Sequence, residues 1–347
     1  MCRPDMTVCT PGVLPAFNGS AGDIYIPWAD NMGAGWGNIC AAVFHGLVMA
    51  LLLNRRPVLV ATEEERQAFG SFFTWTHEVS TADRMPKRGH SFRIDGENLR
   101  FNTSVLELLA TQPPPKRAVS WALGTSWSAG SNLLRLAMAR GLVDRTGCVV
   151  PYFIRPNDEL MREVASVVRS RDAIHVRTCR DKQGNASAWH DTCARNKYGR
   201  TTFSAEEVVS AIDALELSRS MFIASDDGGV AQAVEENVHV TVSSFKNTGR
   251  VVNLGNQPHD VNANDLKRVL LDWLAPVGAA RAFEIGGSTY WMSSMCWFRT
   301  DTPMVISGLV TTNGTRAWAS NAWTCASDDI NGDTRFLFRR PHASGVS

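Results

Sequence analysis

Apolar positions recur along this chain in two rhythms, short runs of four or five residues and longer stretches at helical spacing, and their alternation predicts an α/β protein. The first unit is the strand Asp23-Ile24-Tyr25-Ile26, followed by a glycine-rich turn over Asn31-Met32-Gly33-Ala34-Gly35-Trp36-Gly37-Asn38. A helical period then occupies residues 39–54, and Pro57-Val58-Leu59-Val60 reads as the next strand. Residues 61–115 show no sustained period and end in Thr111-Gln112-Pro113-Pro114-Pro115, a stiff segment that cannot lie inside a helix. Helical spacing returns over 128–141, and residues 148–157 lead into another helix.

The rhythm is most regular in the second half. It predicts a strand at Asp172–Val176, a helix over 204–216, a strand over 220–224, a helix over 229–237, a strand over 239–242, a helix over 263–274 and a strand over 282–285. Such alternation calls for a mostly parallel sheet covered on both faces. The length, 347 residues, suits two α/β lobes, and the junction is expected within residues 156–172. The lobes are accordingly taken as 1–165 and 166–347, with the last helices able to return to the first lobe and a polar tail at 339–347 that frays.

Charge narrows the partners. Lys plus Arg number 35 against 34 Asp plus Glu, so nothing marks a polyanion-binding surface, which argues against a nucleic acid. Apolar residues at 44% and charged residues at 20% fit an ordinary folded globule. Eleven Trp residues belong by default to core packing, although aromatic faces also suit sugar rings. The eight cysteines form no CxxC pair, which removes metal-site spacing, and no metal is expected. Their even number permits disulfides, with Cys2 to Cys9 and Cys179 to Cys193 as local candidates. N-glycosylation triplets at Asn18, Asn102, Asn185 and Asn313 point to a secretory compartment. The chain has neither an apolar run of about eighteen residues nor a signal-peptide layout at its start, so membrane association is expected only through a segment absent from it.

The densest chemistry follows the strand at Asp172–Val176. In His175-Val176-Arg177-Thr178-Cys179-Arg180-Asp181-Lys182-Gln183-Gly184 cations and a carboxylate crowd one loop at a strand's carboxyl end, where open α/β sheets bind ligands. Arginine's planar fork matches phosphoryl oxygens; an ion-paired surface loop is the plain alternative. Ser225-Asp226-Asp227-Gly228 ends another strand, and its carboxylates are candidates for a base, for ribose hydroxyls or for a helix cap. Gly286-Gly287-Ser288-Thr289-Tyr290-Trp291 ends a third, where small hydroxyl residues and free N–H groups can cradle a diphosphate or cap a helix. The first glycine turn departs from GxGxxG and has Val60-Ala61-Thr62 where an acid is needed, which disfavours a nicotinamide dehydrogenase.

These three segments, in this order, resemble the motifs of the GDP-fucose-dependent fucosyltransferase superfamily. His175-Val176-Arg177, Asp181-Lys182, Gly184 and the distal Trp189-His190 are similar to its HVRRTDK-type motif, with the second arginine displaced to Arg180 by Thr178-Cys179. Phe222-Ile223-Ala224-Ser225-Asp226-Asp227 resembles its strand ending in A-T-D-D, and Ser288-Thr289 its serine- and threonine-rich junction. Gly35-Trp36-Gly37-Asn38 before an apolar helix is similar to its first G-x-G-N helix. The resemblance implies a GT-B fold of two Rossmann-like lobes facing across a cleft, with transfer of fucose from GDP-fucose to a glycan or glycoprotein hydroxyl in the Golgi or another secretory lumen. Inversion without a metal or other cofactor is implied as well. Arg177 would be catalytic, and Gly35, Gly37, Asn38, His175, Arg180, Asp181, Lys182, Asp226, Asp227, Ser288, Thr289 and Tyr290 would bind donor or acceptor. Asp23, Asp30 and Glu78 are open candidates for a general base. Another nucleotide sugar, or carbohydrate binding without catalysis, remains the alternative reading. Cys179 bonded to Cys193 would steady the arginine loop in an oxidising compartment.

Overall fold

The computed structural model describes residues 20–28, 36–76, 80–84, 86, 91–95, 118–122, 127–143, 149–169, 171–177, 204–217, 219–245, 262–286, 288–299, 303–312 and 315–325. Strand β1 (Asp23–Pro27) and strand β2 (Arg56–Val60) pair in parallel through the crossover helix α1 (Trp36–Leu52). Helix α1 is apolar almost all round and is buried accordingly. Gly46 lets it lie against β1, because a Cβ there would meet Ile26 Cγ2 at 2.8 Å. With β4 (Ser80–Ala82), β5 (Ser91–Asp95) and β6 (Ala118–Ala122) these strands form an all-parallel sheet in the order β4-β2-β1-β6-β5.

Residues 61–115, which read as irregular, contain regular structure. Helix α2 (Glu63–Gly70) opens with a capping box: Glu65 N donates to Thr62 Oγ1 at 3.2 Å, and Thr62 N donates to Glu65 Oε2 at 2.7 Å. Strand β3 (Phe73–Trp75) pairs antiparallel with β7 (Ile154–Pro156) in a small ribbon of its own. Three further helices, α3 (Trp127–Ala139), α4 (Val150–Phe153) and α5 (Asp158–Val168), lead to the second sheet.

That sheet is built from β8 (Asp172–Val176), β9 (Ser220–Ser225), β10 (Thr241–Ser243), β11 (Arg281–Ile285), β12 (Met304–Thr312) and β13 (Thr315–Trp323), in the order β10-β9-β8-β11-β12-β13. All its pairs are parallel except the β12–β13 hairpin. One face, carrying Ile174, Ile223 and Phe283, packs on α6 (Ala205–Asp213) and α7 (Gly228–Asn237). The opposite face meets α5, α8 (Ala263–Gly278) and α9 (Thr289–Phe298). Covered on both faces, β8 is buried at every position.

The two sheets share one apolar core. Helix α9 packs on α1, and Trp297 Nε1 donates to Cys40 O at 2.8 Å. Around this contact Trp297 meets Trp28, Phe73 and Trp273 with ring centroids 6.2, 6.4 and 5.0 Å apart, and Trp36 meets Trp273 at 5.5 Å. The last described helix, α9, reaches across to α1, and the described residues beyond it form the β12–β13 hairpin.

Cys296 in α9 is bonded to Cys325 just after β13, with Cα atoms 5.1 Å apart, a pairing the local spacing of cysteines did not indicate. The candidate pairs Cys2–Cys9 and Cys179–Cys193 lie outside the described residues, as do Asn18, Asn102, Asn185 and Asn313. Because the bond closes a loop of 29 residues' separation, Cys325→Ser is expected to lower stability by about 3–4 kcal/mol through freedom returned to the unfolded chain. Urea unfolding of oxidised wild type and variant checks it; a difference below about 1 kcal/mol would mean the hairpin holds its place without the bond. No helix among the described residues is long and apolar enough to cross a membrane.

Candidate functional site

Beside β8 the second sheet changes direction. The chain leaves β8 for β9 on one side and later returns to β11 on the other, so the carboxyl ends of β8 and β11 form a switch point, the place where open α/β sheets take ligands. Register there is pinned from the far end. Arg281, the first residue of β11, grips Asp172, the first of β8, through Nε at 2.9 Å and Nη2 at 2.7 Å. Three and four residues along, the same register sets Glu284 beside His175 and Ile285 beside Val176.

Arg177 is the first residue beyond β8. Its N–H donates to Ile285 O at 2.8 Å, which fixes the backbone, and its guanidinium lies 3.0 Å from Asp226 Oδ2. Both side chains keep some solvent contact, 19% and 17%, so the pair is reachable by a ligand and not locked in the core. Asp226 is therefore engaged with Arg177. Its neighbour Asp227 is the N-cap of α7, accepting from Gly229 N at 2.9 Å and Val230 N at 3.3 Å, the plain capping role among those open from sequence. Ser225 ties this turn to β8, its hydroxyl donating to Val176 O at 3.2 Å and accepting from Asp227 N at 3.1 Å.

At the end of β11, Gly286 turns the chain with φ +96°, a conformation that favours glycine, and α9 begins three residues on. Ser288 is its N-cap, accepting from Tyr290 N at 3.2 Å, while Ser288 N donates to Glu284 Oε1 at 3.1 Å. Tyr290 sends its hydroxyl to Val269 O in α8, and burial raises its pKa well above the ordinary phenol value. Thr289 occupies the first position of α9.

His175 is 4% exposed and Glu284 0%, and Nδ1 of the ring lies 2.9 and 2.8 Å from the two carboxylate oxygens. Burial raises the pKa of Glu284, opposed by His175 and by the Ser288 N–H. The rings of Tyr290 and Trp291 lie 5.3 and 5.5 Å from the imidazole, and Trp291 is held by Nε1 donating to Asp272 O at 2.8 Å. Asp272 is a second buried carboxyl near this ring, raised by burial and opposed chiefly by Arg268, which donates to Oδ2 at 2.7 Å. Sequence reading singled out His175 but neither Glu284 nor Asp272. The signal present was an acid in the middle of a strand otherwise expected to be buried.

In the first lobe, Gly37 and Asn38 lie in the first turn of α1, three residues earlier than the helical period placed its start. Asp23, a candidate base, stands at the amino end of β1 and pairs with Arg56 at 2.9 Å. Gly35, Asp30, Glu78, Arg180, Asp181 and Lys182 lie outside the described residues. Among the described residues no group of His, Cys, Asp and Glu could hold a metal ion.

No family model matches the chain, and no curated protein matches its sequence. Among solved structures it is similar to the α-1,6-fucosyltransferase NodZ co-crystallized with GDP, at TM-score 0.48 and 13% identity over 86% of this chain and 98% of that one. The fucosyltransferase NodZ from Bradyrhizobium gives TM-score 0.47 and 14% identity over 86% and 98%. A FUT1 variant from Arabidopsis thaliana in complex with GDP gives TM-score 0.47 and 9% identity over 85% of this chain and 72% of that one.

Proposed function

We propose that the chain is an inverting, metal-independent glycosyltransferase of GT-B type that moves fucose from GDP-fucose to a glycan or glycoprotein hydroxyl. The observation that carries the reading is Arg177, fixed by its own N–H and by Asp226 at the carboxyl end of β8, beside β11. Departure of GDP leaves negative charge on the β-phosphate oxygen, and a guanidinium held in advance where that charge grows stabilises the transition state more than the ground state. The acceptor hydroxyl attacks the anomeric carbon from the opposite side as the bond to GDP breaks, which inverts the carbon, and its proton passes to a base or to solvent. The identity of the sugar and of the guanine base rests on the motif resemblance, to which Arg177, Asp226, Asp227 and Ser288 contribute. Residues 1–165 take the acceptor and residues 166–347 the donor. The Cys296–Cys325 bond is consistent with folding in a secretory lumen.

Nucleotide-dependent thermal protection tests this. GDP at about a hundred times its Kd should add about 2.7 kcal/mol of stability, whether or not chelator is present. UDP should add less. Stronger protection by UDP would reassign the donor, and glycan binding without protection by either nucleotide would favour a carbohydrate-binding protein.

A further inference from the structure

We propose that Glu284 is a positioning residue for donor binding: it holds His175 and the first turn of α9 as one unit at the carboxyl ends of β8 and β11. This deepens the donor reading and rests on it. Glu284 is wholly buried, yet its two oxygens meet His175 Nδ1 from a neighbouring strand and the Ser288 N–H from the helix that follows its own strand. A buried carboxylate without such partners would be costly, so the three groups stabilise one arrangement.

The consequence for the imidazole is directional. With Nδ1–H given to Glu284, Nε2 is the ring nitrogen left for a ligand, and the carboxylate offsets the charge the ring carries when both nitrogens are protonated. In that state Nε2–H can donate to a phosphoryl oxygen of a nucleoside diphosphate held by Arg177. Tyr290 and Trp291 against the ring, and the Trp291 bond to Asp272 O, limit how far it can turn. No proton needs to leave the pair. Glu284 touches neither donor nor acceptor; it acts through His175 and Ser288.

Two measurements test the assignment on the full chain. Glu284→Gln keeps the shape but removes the charge, and it should lower kcat by about 10- to 100-fold and weaken GDP correspondingly while the acceptor KM stays at the wild-type value. Unchanged kcat and GDP affinity in the folded variant overturn the proposal, and so does a loss confined to the acceptor KM. The second needs no variant at Glu284. Nitrogen-15 NMR of histidine-labelled wild type, with His175 identified by the signal missing from His175→Gln, should find Nδ1 protonated. A bare Nδ1 overturns the role of Glu284 whatever the nucleotide does, whereas absence of GDP protection in wild type overturns the donor reading instead.

Discussion

Arg177→Ala is expected to lower fucose transfer by about a hundredfold or more, the scale on which removal of one fixed charge-stabilising donor acts. On the proposed mechanism the loss should fall on kcat more than on the acceptor KM, since the guanidinium would face charge that appears only as GDP departs. Arg177→Lys should recover part of it, because an ammonium supplies the charge without the planar fork. Stability should change little: the side chain is partly exposed and its partner Asp226 can turn to water once released. Steady-state rates with GDP-fucose, beside melting curves showing both variants folded, decide the matter. Turnover near the wild-type rate in folded Arg177→Ala would remove this residue from the mechanism.

Trp297→Ala should be the most damaging substitution for the fold, costing about 3–5 kcal/mol. Trp297 is fully buried, packs against Trp28, Phe73 and Trp273, and spends its one donor on Cys40 O in α1. Truncation leaves a cavity and removes the indole bond that joins α9 to Cys40 O of α1, and neither helix can close the gap without pulling on its own sheet. Trp297→Phe should cost less, keeping much of the ring contact and losing the hydrogen bond. Urea midpoints for both variants check this, and a cost under about 1 kcal/mol for the alanine variant would show that the seam tolerates a void.

What the sequence made legible follows the range of the interactions concerned. β8 was read to its last residue because Asp172–Val176 is a bounded, mostly apolar run, and β9, β10 and β11 followed from alternation, whereas the β12–β13 hairpin was not read. Arg177 and His175 were legible as strand-end residues. Glu284 was not, because its meaning depends on the β8–β11 register, which joins residues 109 apart. The same distance problem hid the Cys296–Cys325 bond. Helix α2 is a different case: the capping signal Thr62-Glu63-Glu64-Glu65 was local, but the segment buries only Phe69, so no apolar period announced it. The glycine turn was read as starting the helix late, whereas α1 takes in Trp36, because an aromatic side chain that packs on Phe69 and Trp273 recruits the preceding turn into the helix.

The shared aromatic seam also bears on how such a chain can change over time. In a two-lobed protein whose halves touch through polar surfaces, either half can be exchanged for another without disturbing its neighbour. Here the contact among α1, α8 and α9 is continuous with the cores of both sheets, so a second half from elsewhere would arrive without the matching wall for Trp28 and Trp36. New binding preferences are then reached more readily by altering loops than by trading lobes.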